Sequence, residues 1–318
     1  MNNVPSVDLS DFLSDDPKRK EKFIHEIGAA FEEIGFVALK GHFLKPELIE
    51  TLYAEIAKFF ALPEEVKKGY EVEGIGGQRG YTAFGKESAK GKKEGDLKEF
   101  WHFGQYVEND PELEKKYPPN VYVKELPAFN EVGKETFKML EKTAYFLLRA
   151  LALHIGLEED YFDSRIKNGN SILRPIHYPP IVDKPKGAER AAAHGDINLI
   201  TLLMGAQGRG LQVQNRQGEW IDAIAEPDEL MINVGDMLSR LTNNRLKSTI
   251  HKVINPPKEL WGTSRYSIPF FMHPLASARL DCLETCIDEE NPKLYDDITA
   301  GEFLTERLID LGLIKKEK

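Results

Sequence analysis

The stretch His194-Gly195-Asp196-Ile197-Asn198-Leu199-Ile200-Thr201-Leu202-Leu203-Met204 decides how the rest of the chain is read. Extended backbone sends residues i and i+2 to one face, so His194 and Asp196 are expected to set an imidazole beside a carboxylate. The apolar run from Ile197 to Met204 reads as the strand that follows. A histidine-x-aspartate alone is a weak signal, since a hydrogen-bonded pair at a strand end looks the same. His251 adds weight to it, because it lies in Ser248-Thr249-Ile250-His251-Lys252-Val253-Ile254, another β-branched strand candidate. Two imidazoles and one carboxylate capping one face of an ion leave three positions open, the donor set that suits non-haem Fe(II) in oxygen chemistry. Further on comes Arg265-Tyr266-Ser267-Ile268-Pro269-Phe270-Phe271. Arg265 and Ser267 share a face there, and a guanidinium with a hydroxyl suits a carboxylate ligand.

Working outward, the second half reads as short strands punctuated by glycine turns. Ser171 to Pro180 opens it. Leu211-Gln212-Val213-Gln214 and Glu219-Trp220-Ile221-Asp222 form a hairpin pattern, between the turn signals Gly208-Arg209-Gly210 and Gln217-Gly218. Leu230 to Val234 is a further strand, closed by Gly235-Asp236. That spacing predicts an antiparallel double-sheet jelly roll. The first half reads as helical. Asp16-Pro17 starts a helix with proline in its first turn, and Phe23, Ile27, Phe31 and Ile34 recur at helical spacing. Phe36 to Leu39 is a buried strand, and a second helix begins near Pro46. Gly74 to Gly80 reads as a loop near the pocket, and Ser88 to Lys98 as solvated. Glu99 to Phe103 is a strand, and His102 on it reads as a core or rim histidine. Pro127 to His154 is one long helix bracing the outside of a sheet. Thr299 and Glu302 have the spacing of a capping box, opening a helix that carries Phe303, Leu308, Leu311 and Leu313. The expected architecture is mainly β with flanking helices: a double-stranded β-helix core braced by N-terminal and C-terminal helices. The expected divisions are 1–165 for the N-terminal region, 166–280 for the jelly-roll core and 281–318 for a helical tail.

The order histidine-x-aspartate, histidine about 55 residues on, then arginine-x-serine resembles the iron(II)/2-oxoglutarate-dependent dioxygenases, and within them the isopenicillin N synthase-like branch. Val4-Pro5-Ser6-Val7-Asp8-Leu9 resembles that branch's opening strand, and Glu33 to Leu39 its strand entry. Phe59-Phe60-Ala61-Leu62-Pro63 with Glu64, Glu65 and Lys67, Gly80-Tyr81 followed by Asp96 to Glu99, and Gly235-Asp236 with Leu241 to Asn244 fit in the same order. The resemblance implies a metal site of His194, Asp196 and His251. It implies a 2-oxoglutarate site of Arg265, Ser267 and Tyr178, with Tyr178 reaching the far carboxylate. Ile176 stands where many plant members carry asparagine. Arg174, His177 and Phe271 are candidates for the substrate pocket; the alternative for Arg174 is a surface ion pair. The implied cofactors are Fe(II), 2-oxoglutarate as cosubstrate and O2. The implied reaction is oxidative decarboxylation coupled to oxidation of a C–H bond in a small organic substrate. The segment Asn255 to Gly262 is longer than in plant members and reads as a hairpin loop. Three other readings stand beside this one. One is an isopenicillin N synthase-like iron oxidase without 2-oxoglutarate, in which Arg265 and Ser267 hold substrate. Another is a zinc hydrolase on the same three ligands, and the last a catalytically silent jelly-roll binding protein.

Composition bounds the partners. The 318 residues are 41% hydrophobic, ample for a large core. Against 52 acidic residues stand 42 Lys and Arg, a net charge of −10, which argues against nucleic acid, whose phosphates need a basic surface. No run of about 18 apolar residues is present, so no membrane partner is expected. The start lacks a basic segment followed by an apolar one, so no secretory signal is expected and a cytoplasmic location is. Cys282 and Cys286 are the two cysteines, spaced for one helical face. They are expected to be reduced and structural, since two cysteines make no disulfide framework.

Overall fold

A computed structural model describes residues 3–86, 96–182, 189–205 and 210–310. Thirteen strands occur among them: β1 (Ser6–Asp8), β2 (Phe36–Lys40), β3 (Gly80–Thr82), β4 (Glu99–Gly104), β5 (Ile172–Leu173), β6 (Ile176–Tyr178), β7 (Ala191–His194), β8 (Ile200–Met204), β9 (Leu211–Gln214), β10 (Trp220–Asp222), β11 (Leu230–Val234), β12 (His251–Val253) and β13 (Arg265–Met272). They form two sheets. The larger has nine strands in the order β1-β2-β11-β8-β13-β5-β4-β3, with β6 paired to both β13 and β4. The smaller runs β10-β9-β12-β7. All pairings are antiparallel except β1 with β2. The two sheets make the expected jelly roll. Strands from the first 104 residues extend its larger sheet at both edges, β2 pairing with β11 and β4 with β5.

The register sorts the larger sheet into two faces. Val37, Ile232, Leu202, Phe270, Leu173 and Phe103 are consecutive cross-strand partners. All are buried in the main core with the helices Pro17–Glu33, Pro46–Phe60 and Pro127–His154. Phe270 meets Phe137 edge-on at 5.0 Å, and Phe59 stacks on Phe129 at 5.0 Å. One residue along each strand, the row Phe36, Asn233, Thr201 and Phe271 faces the other way, toward the smaller sheet. Part of that inner face is apolar, where Phe36, Ala38 and Met231 pack with Ala191, Leu211, Val213 and Val253. The rest is polar, and it holds the site.

Local chemistry explains the supporting elements. Asp16 caps the helix Pro17–Glu33, its side chain accepting from Lys18 N at 2.9 Å. Gly35 ends that helix's turn with φ +73, and a Cβ there would lie 2.0 Å from the Lys247 carbonyl. The capping box is formed, with Thr299 and Glu302 exchanging bonds ahead of the helix Ala300–Asp310. The helix Pro127–His154 has the expected bounds.

Several expectations are corrected. The run Ile197 to Met204 becomes strand only from Ile200, and Ser248 to Ile254 only from His251 to Val253. Ser171 to Pro180 is two strands, broken at Arg174-Pro175, where proline removes a backbone donor. Asn255 to Gly262 is no hairpin loop. It carries a short helical turn, Lys258–Leu260, and passes from one sheet to the other, since β12 and β13 do not pair. Asp96 and Lys98 are buried as an ion pair at 2.8 Å, not solvated. Residues 88–95, with Gly208 and Arg209 of one expected turn and Leu311 and Leu313 of the last expected helix stripe, lie outside the described residues. The cysteines share no helix face: Cys286 closes the short turn Glu284–Cys286, and both thiols are buried and unbridged. No helix among the described residues is long and apolar enough to cross a membrane.

Candidate metal and cosubstrate site

His194, Asp196 and His251 converge at the open end of the inner face. One donor atom from each lies within 4.8 Å of the other two, and among the described residues this is the one group of three or more His, Cys, Asp or Glu side chains placed so. The route differs from the alternation expected. β7 ends at His194, so Asp196 lies in the loop beyond it. His194 is set by pairing with His251 across β7 and β12, their rings 4.5 Å apart. Asp196 is set by its own contacts: its carbonyl accepts from Asp236 N at 2.7 Å. Its Oδ2 accepts from Thr201 Oγ1 at 2.6 Å and Asn233 Nδ2 at 2.8 Å. Oδ1 is left facing the imidazoles, 3.8 Å from His251 Nε2 and 4.0 Å from His194 Nε2.

Each imidazole is oriented from behind. His194 Nδ1 donates to the Ala192 carbonyl at 2.7 Å, and His251 Nδ1 to the Thr249 carbonyl at 3.1 Å. A ring that donates from Nδ1 in its neutral form presents the Nε2 lone pair, the form a metal needs. Burial, then the neighbouring His251, push the His194 imidazole down to about 4. Its side chain is nonetheless 43% exposed. For Asp196, burial works to raise the pKa, but His251, His194, Asn233 and Thr201 outweigh it and hold the carboxyl below its ordinary value. A carboxylate oxygen and two imidazole nitrogens on one side, each held by hydrogen bonds from behind, fit a divalent iron.

The expected carboxylate contacts lie on the same inner face. Arg265 pairs in register with Tyr178, and Ser267 with Ile176. Arg265 Nη2 donates to the Gly205 carbonyl at 3.2 Å. The Ser267 and Tyr178 side chains are buried, and burial raises the Tyr178 phenol. Phe271 pairs with Thr201, the residue bonded to Asp196. Arg174 lies with its guanidinium carbon 4.4 Å from the Phe100 ring centroid and 5.2 Å from that of Phe271. Its Nε donates to His102 Nε2 at 2.5 Å, and His102 Nδ1 donates to the Gly77 carbonyl at 2.6 Å. Phe100 completes this wall, packed with Ile176 and Tyr178.

His177 is corrected. It pairs with Tyr266, between Arg265 and Ser267, and so points to the outer face, away from the pocket. There it bonds Glu99 Oε1 at 2.7 Å and Ser264 Oγ at 3.0 Å, and stacks on Tyr266 at 5.0 Å. Glu99 also takes Lys67 at 2.7 Å and the Tyr81 hydroxyl. Sequence reasoning passed over Thr201, Asn233 and Phe100. The usable signal was a polar residue at an inner-face position of an otherwise apolar strand, as in Ile200-Thr201-Leu202 and Ile232-Asn233-Val234.

Comparison with known proteins agrees in both halves. Residues 169–274 match the 2OG-Fe(II) oxygenase superfamily, and residues 4–125 match the family described as non-haem dioxygenase in morphine synthesis N-terminal. The chain is 33% identical to the 2-oxoglutarate-dependent dioxygenase citB of Monascus ruber, over 96% of this chain and 94% of that one. A solved structure from Caulobacter crescentus, assigned to the 2OG-Fe(II) oxygenase family, is 42% identical with a TM-score of 0.89, covering 98% of this chain and 100% of that one. A full-length protein of Neurospora crassa, solved in complex with α-ketoglutarate, is 32% identical with a TM-score of 0.84, covering 96% of both chains. The same Neurospora protein has been solved with thymine as well, at 30% identity to this chain, a TM-score of 0.84 and 96% of both chains covered.

Proposed function

This chain belongs to the 2OG-Fe(II) oxygenase superfamily, and from that premise we propose which of its residues do the work: His194, Asp196 and His251 hold the iron, and Arg265, Ser267 and Tyr178 hold the far carboxylate of 2-oxoglutarate. The protein is an Fe(II)/2-oxoglutarate-dependent dioxygenase acting on a small molecule. With Fe(II), 2-oxoglutarate and O2 bound, decarboxylation of the 2-oxo acid to succinate and CO2 drives oxidation of a substrate C–H bond. The observation that carries the metal assignment is the backing of both imidazoles, Nδ1 to a carbonyl, with Nε2 and Asp196 Oδ1 left facing one another. Thr201 and Asn233 keep the second carboxylate oxygen occupied, so the carboxylate offers one oxygen inward. Arg265 supplies a fixed charge and a forked donor, and Ser267 a hydroxyl from the next inward position.

The substrate sits, on this reading, beside Phe271, Phe100 and the Arg174 guanidinium that lies between them. Two aromatic faces with a guanidinium between them favour a flat ring bearing carbonyl oxygens, of about the size of one pyrimidine base. The thymine complex of the Neurospora relative supports that choice. The test is succinate formation from 2-oxoglutarate under O2. Thymine and related pyrimidines are expected to raise it above the substrate-free rate in the wild type, and Arg174→Ala to lose that stimulation while keeping the substrate-free rate. Stimulation by unrelated acids alone, with none by pyrimidines, overturns the substrate class. Failure of the Fe(II)-loaded protein to bind 2-oxoglutarate after Arg265→Ala, with wild-type iron content, supports the clamp; unchanged affinity removes it.

A further inference from the structure

A second guanidinium lies beside the groups assigned to 2-oxoglutarate. Arg190, just before β7, is 4% exposed. Its guanidinium carbon lies 5.6 Å from the centroid of the Tyr178 ring. One nitrogen donates to the Thr263 carbonyl at 3.4 Å, and its buried Nε has no acceptor. Among the described residues no carboxylate pairs with Arg190 or with Arg265. Asp96, close enough to act on Tyr178, is engaged by Lys98 at 2.8 Å. Burial lowers the Arg190 pKa, and the nearby Arg265 lowers it further, so the two cations are near enough to repel.

A buried guanidinium beside a half-buried one of like charge is costly unless an anion joins them. Beside them the Tyr178 hydroxyl, in register with Arg265, and the Ser267 hydroxyl on the same face can donate, and neither hydroxyl is bonded to a described residue. Two guanidinium groups met only by the neutral Thr263 and Gly205 carbonyls keep donors to spare for an anion. We propose that Arg190 is a binding residue for the far carboxylate of 2-oxoglutarate, which it shares with Arg265. The proposal rests on the assignment of Arg265, Ser267 and Tyr178 to that carboxylate. It places the anion with the cosubstrate and not the substrate for a reason of position. Arg190 flanks the Arg265 end of β13, whereas Phe271 is six residues further along the strand, roughly 20 Å at strand rise.

The experiment compares two ligands on Fe(II)-loaded protein by anaerobic calorimetry: 2-oxoglutarate, and 2-oxopentanoate, which has a methyl group in place of the far carboxylate. Arg190→Gln is expected to weaken 2-oxoglutarate by about tenfold to a hundredfold and to leave 2-oxopentanoate within about twofold. Arg190→Lys, which keeps the charge and loses the fork, is expected to separate the two acids by a smaller factor; it carries the test alone should the glutamine variant be recovered unfolded. Equal weakening of both acids marks Arg190 as merely structural and overturns the proposal, as does no weakening of either. Arg265→Gln is the reference. If it separates the acids and the Arg190 variants do not, only the Arg190 assignment falls. If Arg265→Gln fails to separate them, the clamp reading itself falls.

Discussion

The two faces of the larger sheet are written in the same strands and do opposite work. On the outer face, six consecutive partners from Val37 to Phe103 are apolar and lie in the core under the helices. On the inner face, one residue along, the row holds Asn233 and Thr201, and their bonds go to a single carboxylate oxygen. One face gains its stability from area removed from water. The other spends part of that gain on buried polar groups, which cost free energy unless every bond is made. The lesson is that the outer row makes the inner row possible: the helix side supplies rigidity and the polar side supplies aim. Substitutions on the two faces should therefore fail differently, one in folding and the other in iron and ligand.

The largest effect is expected at the centre of the inner face. Asp196→Ala removes the one anionic donor, and the purified protein should hold no stoichiometric Fe(II) after anaerobic loading, with succinate formation abolished. The fold should persist, because the bonds that Thr201 and Asn233 lose cost about 1–3 kcal/mol. Full iron occupancy in this variant breaks the comparison at its root. On the outer face, Phe270→Ala deletes a fully buried ring packed on Phe137. Denaturant unfolding should show a loss of about 3–5 kcal/mol. The fraction that remains folded should load iron normally, and defective loading in that fraction would mean the faces are not separable.

These two substitutions also mark what could be read from the sequence. Phe270 and its row follow from apolar periodicity, and so do the helices beneath them, because burial against a helix demands nothing but size and alternation. His194, His251, Arg265 and Ser267 were legible as residue types in order. Asp196 lies beside both imidazoles, but the expected strand alternation is not what puts it there: it sits in a loop held by Asp236 N, Thr201 and Asn233. Thr201 and Asn233 stand out as lone polar residues in apolar strands, but that they serve one carboxylate follows only from their pairing across the sheet. Arg190 was illegible for the same reason. Tyr178 and Arg265, which give it significance, are 12 residues before it and 75 after it in the chain.

A smaller effect sharpens the account of the inner face. Asn233→Ala leaves all three proposed metal donors in place and removes the 2.8 Å bond to Asp196 Oδ2. Groups that orient a ligand from behind are commonly worth tenfold to a hundredfold in metal affinity, so Fe(II) binding should weaken by about that factor. The 2-oxoglutarate affinity of the iron-loaded protein should stay within about twofold. Competition against a metal-binding dye under anaerobic conditions reads the first quantity and calorimetry the second. Unchanged iron affinity would show that Thr201 alone aims the carboxylate.

The smallest effect lies where the outer face breaks its own rule. At the junction of β4, β6 and β13 the outer face is polar: Glu99 takes His177, Lys67 and Tyr81, all buried or nearly so. The His177, Lys67 and Tyr81 bonds outweigh the effect of burial and hold the Glu99 carboxyl below its ordinary value. His177 is the next residue before Tyr178, and its partner Tyr266 lies between Arg265 and Ser267, so this cluster is one backbone's thickness from the proposed carboxylate clamp. His177→Phe keeps a ring between Phe60 and Tyr266 and removes one of the three bonds to Glu99. A single bond to a charged group whose other partners remain is worth about 1.5 kcal/mol, and that is the expected loss of stability. Affinity for 2-oxoglutarate should move less than about twofold, since alternation turns His177 from the ligand. A tenfold loss with unchanged iron affinity would mean instead that the Glu99 cluster holds β6 and β13 in register for the clamp. The two faces would then be coupled at this edge, though separate at the centre.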